Sequence, residues 1–169
     1  MLNGNAIRHQ MILPEQQAIY DYWRSRCREG HFPSRFDIEP EHITAHLPMV
    51  TLTEHCLDGP TPRFRFRLAG TGFWSLYEDE IQGRFVDELP IGDRKAYWQR
   101  VLSDIIVKRR PRAGVTRTGT PSGSHLAQFW IRLPLSSDGR TIDTILGYDH
   151  LVKLSSLSNV DEELTQIYA

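Results

Sequence analysis

The chain has 169 residues, of which 40% are hydrophobic and 24% charged, a composition typical of one globular domain with its own core. The formal net charge of −1 at pH 7 does not favour nucleic acid or an anionic membrane as a partner. The two cysteines, Cys27 and Cys56, form no paired motif, which argues against a disulfide framework or a structural zinc site. No apolar run has the length of a signal peptide or a membrane span, and we expect a cytoplasmic protein.

The first regular element is predicted to be an amphipathic helix over residues 14–29, after a frayed leader over residues 1–12. Pro14 suits the first turn of a helix, and Gly30 ends the run. The apolar stripe consists of Ile19, Tyr20, Trp23 and Cys27. Because a helix this short needs a surface on which to bury its stripe, we expect it to cover a sheet of the same subunit or of a partner subunit.

Two strands should follow a second short helix that begins after Asp37 and ends at Pro48. From Met49 the hydrophobic period changes to two, and the turn cluster LDGPTP separates MVTLTEHC from RFRFRLAG. The second of these segments alternates strictly between arginine and apolar residues. One face carries Arg63, Arg65 and Arg67, and the other carries Phe64, Phe66 and Leu68. A β-hairpin is therefore predicted.

Short helical turns are expected between residues 71 and 89, and a longer helix over 93–109. Asp93 caps this helix, and Pro111 closes it. Three further strands are predicted, separated by turns at Pro121-Ser122-Gly123 and Ser137-Asp138-Gly139; they cover residues 113–119, 124–134 and 142–152.

The last of these turns predicts which residues share a face of the sheet. A hairpin loop of even length places odd-numbered residues before it on the same face of the sheet as even-numbered residues after it. One face then holds Phe129, Ile131, Leu133, Leu146, Tyr148 and Val152. We predict that this face is the inner one. The opposite face combines Gln128, Arg132 and Asp149 with Trp130, Ile145 and Leu151. It is too apolar to remain in water, and the helix 14–29 is the candidate to cover it.

The order of elements, together with three local motifs, resembles the PAS domain family, and in particular the small single-domain PAS proteins of alphaproteobacteria. The motifs are YDYWRSRCREGHFPSRFDIEPEHITAHLP, PRFRFRLAGTGFWSLYEDEIQGRFVDEL and LPLSSDGRTIDTILGY, and the resemblance covers about residues 15–152. It implies an α+β fold: a five-stranded antiparallel sheet with helices on one face, an N-terminal amphipathic helix, and a small cavity between the sheet and helix 93–109. The domain would span residues 31–153, after a leader and helix over 1–30 and before an acidic tail over 154–169.

The aromatic residues around this implied cavity are candidates for a site that binds a small apolar or aromatic ligand. An ordinary packed core is the alternative, because aromatics dominate cores as well. The candidate lining consists of Phe66, Leu68, Trp74, Tyr77, Phe85, Trp98, Leu102, Phe129, Ile131, Leu146 and Tyr148.

No cofactor or metal is expected. Haem-binding PAS domains usually take an axial histidine from the helix that corresponds to 93–109, which has none. Flavin-binding light sensors carry a reactive cysteine after a Gly-Arg pair, whereas here Gly83 and Arg84 are followed by Phe85. His42 and His46 have the i, i+4 spacing of a zinc helix, but a third ligand is not evident.

Four further features have an ordinary structural interpretation beside a functional one. His125 and His150 would sense pH if paired near the cavity, or be solvated at the margin of the sheet. Gly70-Thr71-Gly72 is more typical of a tight turn than of a phosphate loop. The run KRRPR at 108–112 would contact an acidic partner or complement a helix dipole. The tail SNVDEELTQIYA is either a docking helix or a frayed end.

Together these features predict a stand-alone PAS module for sensing or protein interaction that signals through a partner protein and is not an enzyme. We expect a homodimer whose interface comprises Ile19, Tyr20, Trp23, Trp130, Ile145 and Leu151. The alternatives are a small cavity-bearing enzyme of the isomerase or dehydratase kind, which would need a buried acid–base pair, and an interaction domain with a filled core. A void smaller than about 100 Å³ between the sheet and helix 93–109 would favour the interaction domain with a filled core.

Overall fold

A computed structural model describes residues 7–8 and 10–157 of the chain. Five strands form one antiparallel sheet, as predicted, and their spatial order is β2-β1-β5-β4-β3. The strands are β1 (Val50–Cys56), β2 (Arg63–Ala69), β3 (Arg112–Arg117), β4 (Leu126–Leu135) and β5 (Thr144–Lys153). Each strand lies within two residues of its predicted bounds, because turns that contain Gly or Pro mark most of the strand ends.

Three α-helices that lie wholly within the described residues, together with several 3₁₀ turns, pack around the sheet. The α-helices are α1 (Pro14–Arg26), α2 (Trp74–Tyr77) and α3 (Arg94–Lys108). The 3₁₀ segments are Arg35–Asp37, Pro40–Met49, Thr71–Phe73, Val86–Glu88 and Leu154–Ser156. No helix in the described part of the chain has the length and apolarity that crossing a bilayer requires.

Helix α1 ends earlier than predicted, and the second short helix extends further. The backbone of Arg28 bonds that of His31 in a tight turn, with Gly30 at a φ of +71°, so the chain leaves the helix before residue 29. The 3₁₀ segment Pro40–Met49 continues through Pro48, with a kink at Ile43.

The sheet is covered on both faces. Helix α1 packs on one face, where Ile19, Tyr20 and Trp23 are buried against Ile131 and neighbouring apolar side chains of β4 and β5. The side chain of Trp23 donates a hydrogen bond from Nε1 to the carbonyl of Pro134 at 3.0 Å. Helices α2 and α3 and the short turns pack on the other face. The candidate site therefore lies in the second layer, between the sheet and α3.

The two faces of β4 and β5 are exchanged relative to the prediction. Ile131 pairs with Tyr148 and Leu133 with Leu146, so these residues share a face as expected. That face contacts α1, however, whereas Trp130 belongs to the core around α3. The strand register determines which residues share a face. It does not determine which layer covers them, because both faces are strongly apolar here.

A bulge in β2 corrects the prediction for Leu68. Leu52 of β1 opposes Leu68, but the next residue, Thr53, opposes Phe66, so Arg67 is the extra residue. The bulge turns the side chain of Leu68 away from the core, and it is 41% exposed. Phe64 and Phe66, which lie before the bulge, are buried as the alternation predicts.

The Gly70-Thr71-Gly72 segment has a packing role. A Cβ atom at Gly70 would lie 2.2 Å from the carbonyl oxygen of Leu47, so only glycine allows the loop to approach the 3₁₀ segment Pro40–Met49 so closely. The predicted leader over residues 1–12 lies partly outside the described residues. The tail beyond residue 157, predicted to be a docking helix or a frayed end, lies outside them as well.

Candidate functional site

A buried ion pair occupies the layer between the sheet and α3. Arg132 of β4 and Asp149 of β5 are 6% and 0% exposed. The Nη2 atom of Arg132 lies 3.0 Å from Oδ1 and 2.9 Å from Oδ2 of Asp149. Both side chains project from the face of the sheet that had been predicted to be covered by α1. A paired charge in this position is protected from solvent screening, unlike the exposed ion pairs elsewhere on the surface.

Further hydrogen bonds reach the pair, although Asp149 Oδ2 has only its ionic contact with Arg132 among the described residues. Gln128 Nε2 donates to Asp149 Oδ1 at 2.7 Å, and Arg132 Nη1 donates to the carbonyls of Ile131 and Tyr148 at 3.0 and 3.2 Å. The guanidinium carbon lies 4.6 Å from the centroid of the Trp98 ring. This cation–π contact joins β4 to α3, so the ion pair connects the sheet to the helix that packs on it.

Two buried polar atoms beside the ion pair have no hydrogen-bond partner among the described residues. They are Thr51 Oγ1 and Gln128 Oε1, and both side chains are at most 2% exposed. The cavity next to them has a volume of about 20 Å³. It is lined by Thr51, Thr53, Phe66, Phe73, Tyr77, Val86, Leu89, Trp98, Leu102, Gln128 and Arg132. A cavity of this size holds about one water molecule.

Two tyrosines at this layer are held in the neutral form. Burial raises the pKa of Tyr77 well above its ordinary value, and the negative charge of Asp149 adds to this effect. Burial also raises the pKa of Tyr97, whose hydroxyl accepts a hydrogen bond from Trp130 Nε1 at 2.9 Å. Neutral phenols with raised pKa values do not serve as bases near pH 7, and the phenol of Tyr97 serves as a hydrogen-bond acceptor.

The structure brings together only part of the predicted cavity lining. Phe66, Tyr77, Trp98 and Leu102 line the inner cavity. The other seven residues lie elsewhere for four separate reasons. Leu68 follows the β2 bulge, and Trp74 is 54% exposed on the outer side of α2. Phe85 lies beneath Arg63, whose Cζ is 3.7 Å from its ring centroid. The remaining four lie on the opposite face of the sheet, with or near α1: Phe129, Ile131, Leu146 and Tyr148.

The residues predicted for a dimer interface are mostly internal. Ile19, Tyr20 and Trp23 are at most 4% exposed because they pack on the sheet of the same chain. Trp130 and Ile145 are each 1% exposed on the α3 side, and Leu151 is partly buried there. The six residues lie on two different layers, so they do not form one free surface.

The polar half of the site was missed, although the sequence contains a signal for it. Gln128, Arg132 and Asp149 share a face with Trp130, so opposite charges accompany apolar residues on paired strands. Gly147 interrupts β5, and a Cβ atom there would lie 2.4 Å from Thr51 Oγ1 and 3.1 Å from Arg132 Cζ. A glycine within a central strand indicates a close approach of another group, which here is the arginine.

A histidine cluster lies at the edge of the α1 layer. The ring of His46 packs edge-on against Tyr148 at 5.0 Å, and the Tyr148 hydroxyl bonds His150 Nδ1 at 2.9 Å. Burial lowers the pKa of His46 below 6.5; the charge of Glu15 opposes this shift and that of His150 adds to it. His46 Nδ1 has no hydrogen-bond partner among the described residues. The neutral form of His46 is therefore the one that the fold stabilises.

Stability should fall when the pH is lowered from about 7.5 to 5.5. The pKa of His46 is lower in the folded chain than in the unfolded one, so the unfolded chain binds more protons as the pH passes below 6.5. We expect the denaturant midpoint to drop over this range and to drop less in His46→Gln. The exposed His42, which bonds Glu39, provides the control variant His42→Gln. An equal drop in His46→Gln and in the unmodified chain would contradict the assignment.

No group of three or more metal-ligating side chains is found within residues 7–8 and 10–157. His42 and His46 diverge, because His42 packs against Tyr22 and His46 against Tyr148. Cys27 and Cys56 lie in two surface grooves on different parts of the molecule, and neither lines the inner cavity.

Comparison with known proteins agrees with this architecture. A family model described as "PAS domain" matches residues 11–149. Among curated proteins, none matches the chain. A solved RNA-binding light-oxygen-voltage receptor superposes with a TM-score of 0.50 at 15% identity, covering 79% of this chain and 39% of that one. The Rhodobacter sphaeroides LOV protein gives a TM-score of 0.49 at 17% identity and covers 88% of this chain and 73% of its own. At 15% identity the likeness to the RNA-binding receptor concerns the fold alone.

Proposed function

The chain belongs to the PAS domain family, and we propose that it is a signalling module that acts through contact with a partner protein. The closed inner site is the observation that carries this proposal. Where the family resemblance implies a ligand cavity, side chains that include Arg132 and Trp98 leave a space of about 20 Å³. This volume is below the void of about 100 Å³ that separates a ligand pocket from a filled core. Surface contact then transmits the signal.

The same geometry does not favour an enzyme. The buried carboxylate of Asp149 bonds Arg132 and Gln128, and so has the partners of a structural ion pair. Among the described residues, the carboxylate–imidazole contact is that of His42 with Glu39, and both side chains are about half exposed. A catalytic acid–base pair beside a substrate-sized cavity is thus not supported.

The residues at the inner site also do not fit a flavin. A tricyclic ring does not fit a space of about 20 Å³. The position after Arg84 holds Phe85, which is engaged by Arg63, and the two cysteines lie in surface grooves. We therefore propose that the chain functions without a flavin adduct.

Native mass spectrometry of the tagged full chain, purified from cells that encode it, tests the proposal. We expect the chain in a stoichiometric complex with another protein or a second copy, with no additional small-molecule mass. A homodimer built on Ile19, Tyr20 and Trp23 would require the two copies to exchange α1, since each α1 packs on its own sheet. A monomer that retains a small molecule would overturn the proposal.

Small-ligand sensing is a second candidate, favoured by the two polar atoms that lack partners, Thr51 Oγ1 and Gln128 Oε1. These atoms face the same cavity as Arg132, so a polar group of a ligand would complete their hydrogen bonds. Binding of anything larger than water would require the inner layer to open. A thermal-shift series with small carboxylic acids and amides distinguishes the two candidates, because a closed core gives no shift.

Thr51→Val should raise the free energy of unfolding by about 1 kcal/mol, because the substitution removes a buried hydroxyl without a partner and preserves its shape. Chemical denaturation at pH 7 measures the change. The control is Thr44→Val, since the Thr44 hydroxyl is exposed and bonds the carbonyl of Glu41. A loss of stability in Thr51→Val would show that the hydroxyl is satisfied by water or a ligand, and would favour the second candidate.

A further inference from the structure

An open groove of about 610 Å³ lies where the ends of α1 and α3 meet. The turn that follows α1 forms one wall, and its position is determined by a hydrogen bond from Phe32 N to the carbonyl of Gly139 at 3.0 Å. Lys108, the last residue of α3, and Arg109, which follows it, form the other wall. This groove, which we call the α1–α3 groove, is far larger than the inner cavity and lies on the surface, where a partner has access to it.

The α1–α3 groove is strongly basic, although the whole chain has a net charge of −1. Its lining contains four cationic side chains, Arg24, Arg28, Lys108 and Arg109, against the single carboxylate of Glu29. Lys108 is paired with Asp104 at 2.6 Å. Within the described part of the chain, the three arginines make no ion pair. Most other arginines in the structure do have carboxylate partners, so this is a local excess of unneutralised charge.

The floor of the groove is apolar. Trp23, Cys27 and Phe32 lie between the basic walls. Arg109 Cζ is 5.6 Å from the centroid of the Phe32 ring, so the guanidinium rests on the aromatic face and keeps its hydrogen-bond donors free. Aromatic residues and arginine are enriched among residues that dominate the energetics of protein interfaces.

We propose that the α1–α3 groove binds an acidic segment of a partner protein that carries apolar side chains between its carboxylates. This inference rests on the proposed function and identifies the partner by its chemistry. Carboxylates would pair with the free guanidinium groups of Arg24, Arg28 and Arg109, and the apolar side chains would contact the partly exposed Phe32 and Cys27.

The geometry favours a peptide over a phosphate-bearing ligand. The positive ends of helices, which attract phosphate, are absent here: α1 and α3 both present their C-terminal ends to the groove. The C-terminal end of each helix has only a fraction of one negative charge. The two ends therefore offset only part of the positive charge of the basic residues. The three free arginines therefore leave a positive excess, and the apolar floor suits side chains and not a sugar–phosphate backbone.

Fluorescence anisotropy with the full chain tests this inference. The probe is a short fluorescein-labelled peptide of Glu pairs separated by Phe and Leu, and the comparison peptide has Lys in place of each Glu. We expect saturable binding of the acidic probe, weakened by salt. Arg24→Glu with Arg28→Glu should weaken it by more than about ten-fold. The matched control is Arg100→Glu, an exposed arginine outside the groove, which should have little effect.

The rate of alkylation of Cys27 independently reports whether the probe binds in the α1–α3 groove. The Cys27 thiol lines the groove, whereas Cys56 lies in a different groove and is removed by Cys56→Ser. Bound probe should slow alkylation of Cys27.

Binding that survives both charge reversals, equal binding of the Lys peptide, or tighter binding of polyphosphate or RNA would overturn the inference. If the double variant retains its partner in native mass spectrometry, the groove inference fails while the signalling function stands; if the unmodified chain has no partner, the function itself fails.

Discussion

Arg132→Met is expected to lower the free energy of unfolding by about 3–5 kcal/mol, because it leaves the carboxylate of Asp149 buried without its cation. Asp149 is 0% exposed, and its remaining side-chain donor is Gln128 at 2.7 Å. One neutral hydrogen bond does not replace the hydration that the carboxylate loses on folding. The variant also loses the contact with Trp98 that joins β4 to α3. Guanidinium denaturation at pH 7 measures the effect.

The double variant Arg132→Met, Asp149→Leu should recover most of this loss. Apolar side chains of similar volume remove both desolvation costs, and replacing a whole buried ion pair is often neutral. Gln128 then loses its acceptor, which costs about 1 kcal/mol. Arg84→Met, which breaks an exposed ion pair with Asp79, is the control and should have a small effect. If the single and double variants are equally unstable, the two charges do not act as a pair.

The elements of this fold could be predicted from local sequence because their signals are local. The alternation in RFRFRLAG and the turn at Pro121-Ser122-Gly123 depend on residues that are close in the chain. The helix 93–109 likewise forms almost as predicted, and Arg109 ends it with a φ of 52°. The bounds of the helices and strands follow from such signals. The antiparallel pairing of the strands follows from them together with the family resemblance.

The assignment of layers could not be predicted in the same way. Trp130 and Ile131 are adjacent, equally apolar and almost fully buried, yet they face different helices. Which face α3 covers depends on the crossover connections of the whole chain and not on the strand pattern. The face that carries Trp130 was expected to lie under α1, whereas it lies under α3, and Arg132 and Asp149 neutralise each other inside the core. Complementary charge on paired strands is therefore compatible with burial.

Two further errors in the predicted site have separate local causes. Leu68 was assigned by strict alternation, which the bulge at Arg67 interrupts. Trp74 was assigned as a large aromatic, but it lies on the outer side of a helix of four residues, where only Leu76 is buried. Neither the bulge nor the rotation of so short a helix has a strong signal in the sequence.

Trp23→Ala should lower the free energy of unfolding by about 3–5 kcal/mol, the usual range for removing a buried tryptophan. Trp23 is 1% exposed, and its ring lies 5.9 Å from that of Tyr20 and 6.4 Å from that of Phe32. The substitution also removes the donor to the carbonyl of Pro134. Because α1 is too short to be stable alone, loss of this contact should release the helix from the sheet.

Release of α1 has a consequence beyond lower stability. It uncovers an apolar face that includes Ile131, Leu133 and Leu146, and an exposed face of this kind promotes association. Analytical ultracentrifugation of Trp23→Ala should therefore show more concentration-dependent association than the control Ser25→Ala, since Ser25 is exposed and bonds only within α1. A Trp23→Ala chain that stays monomeric and loses less than about 1 kcal/mol would mean that α1 does not depend on this contact for its place on the sheet.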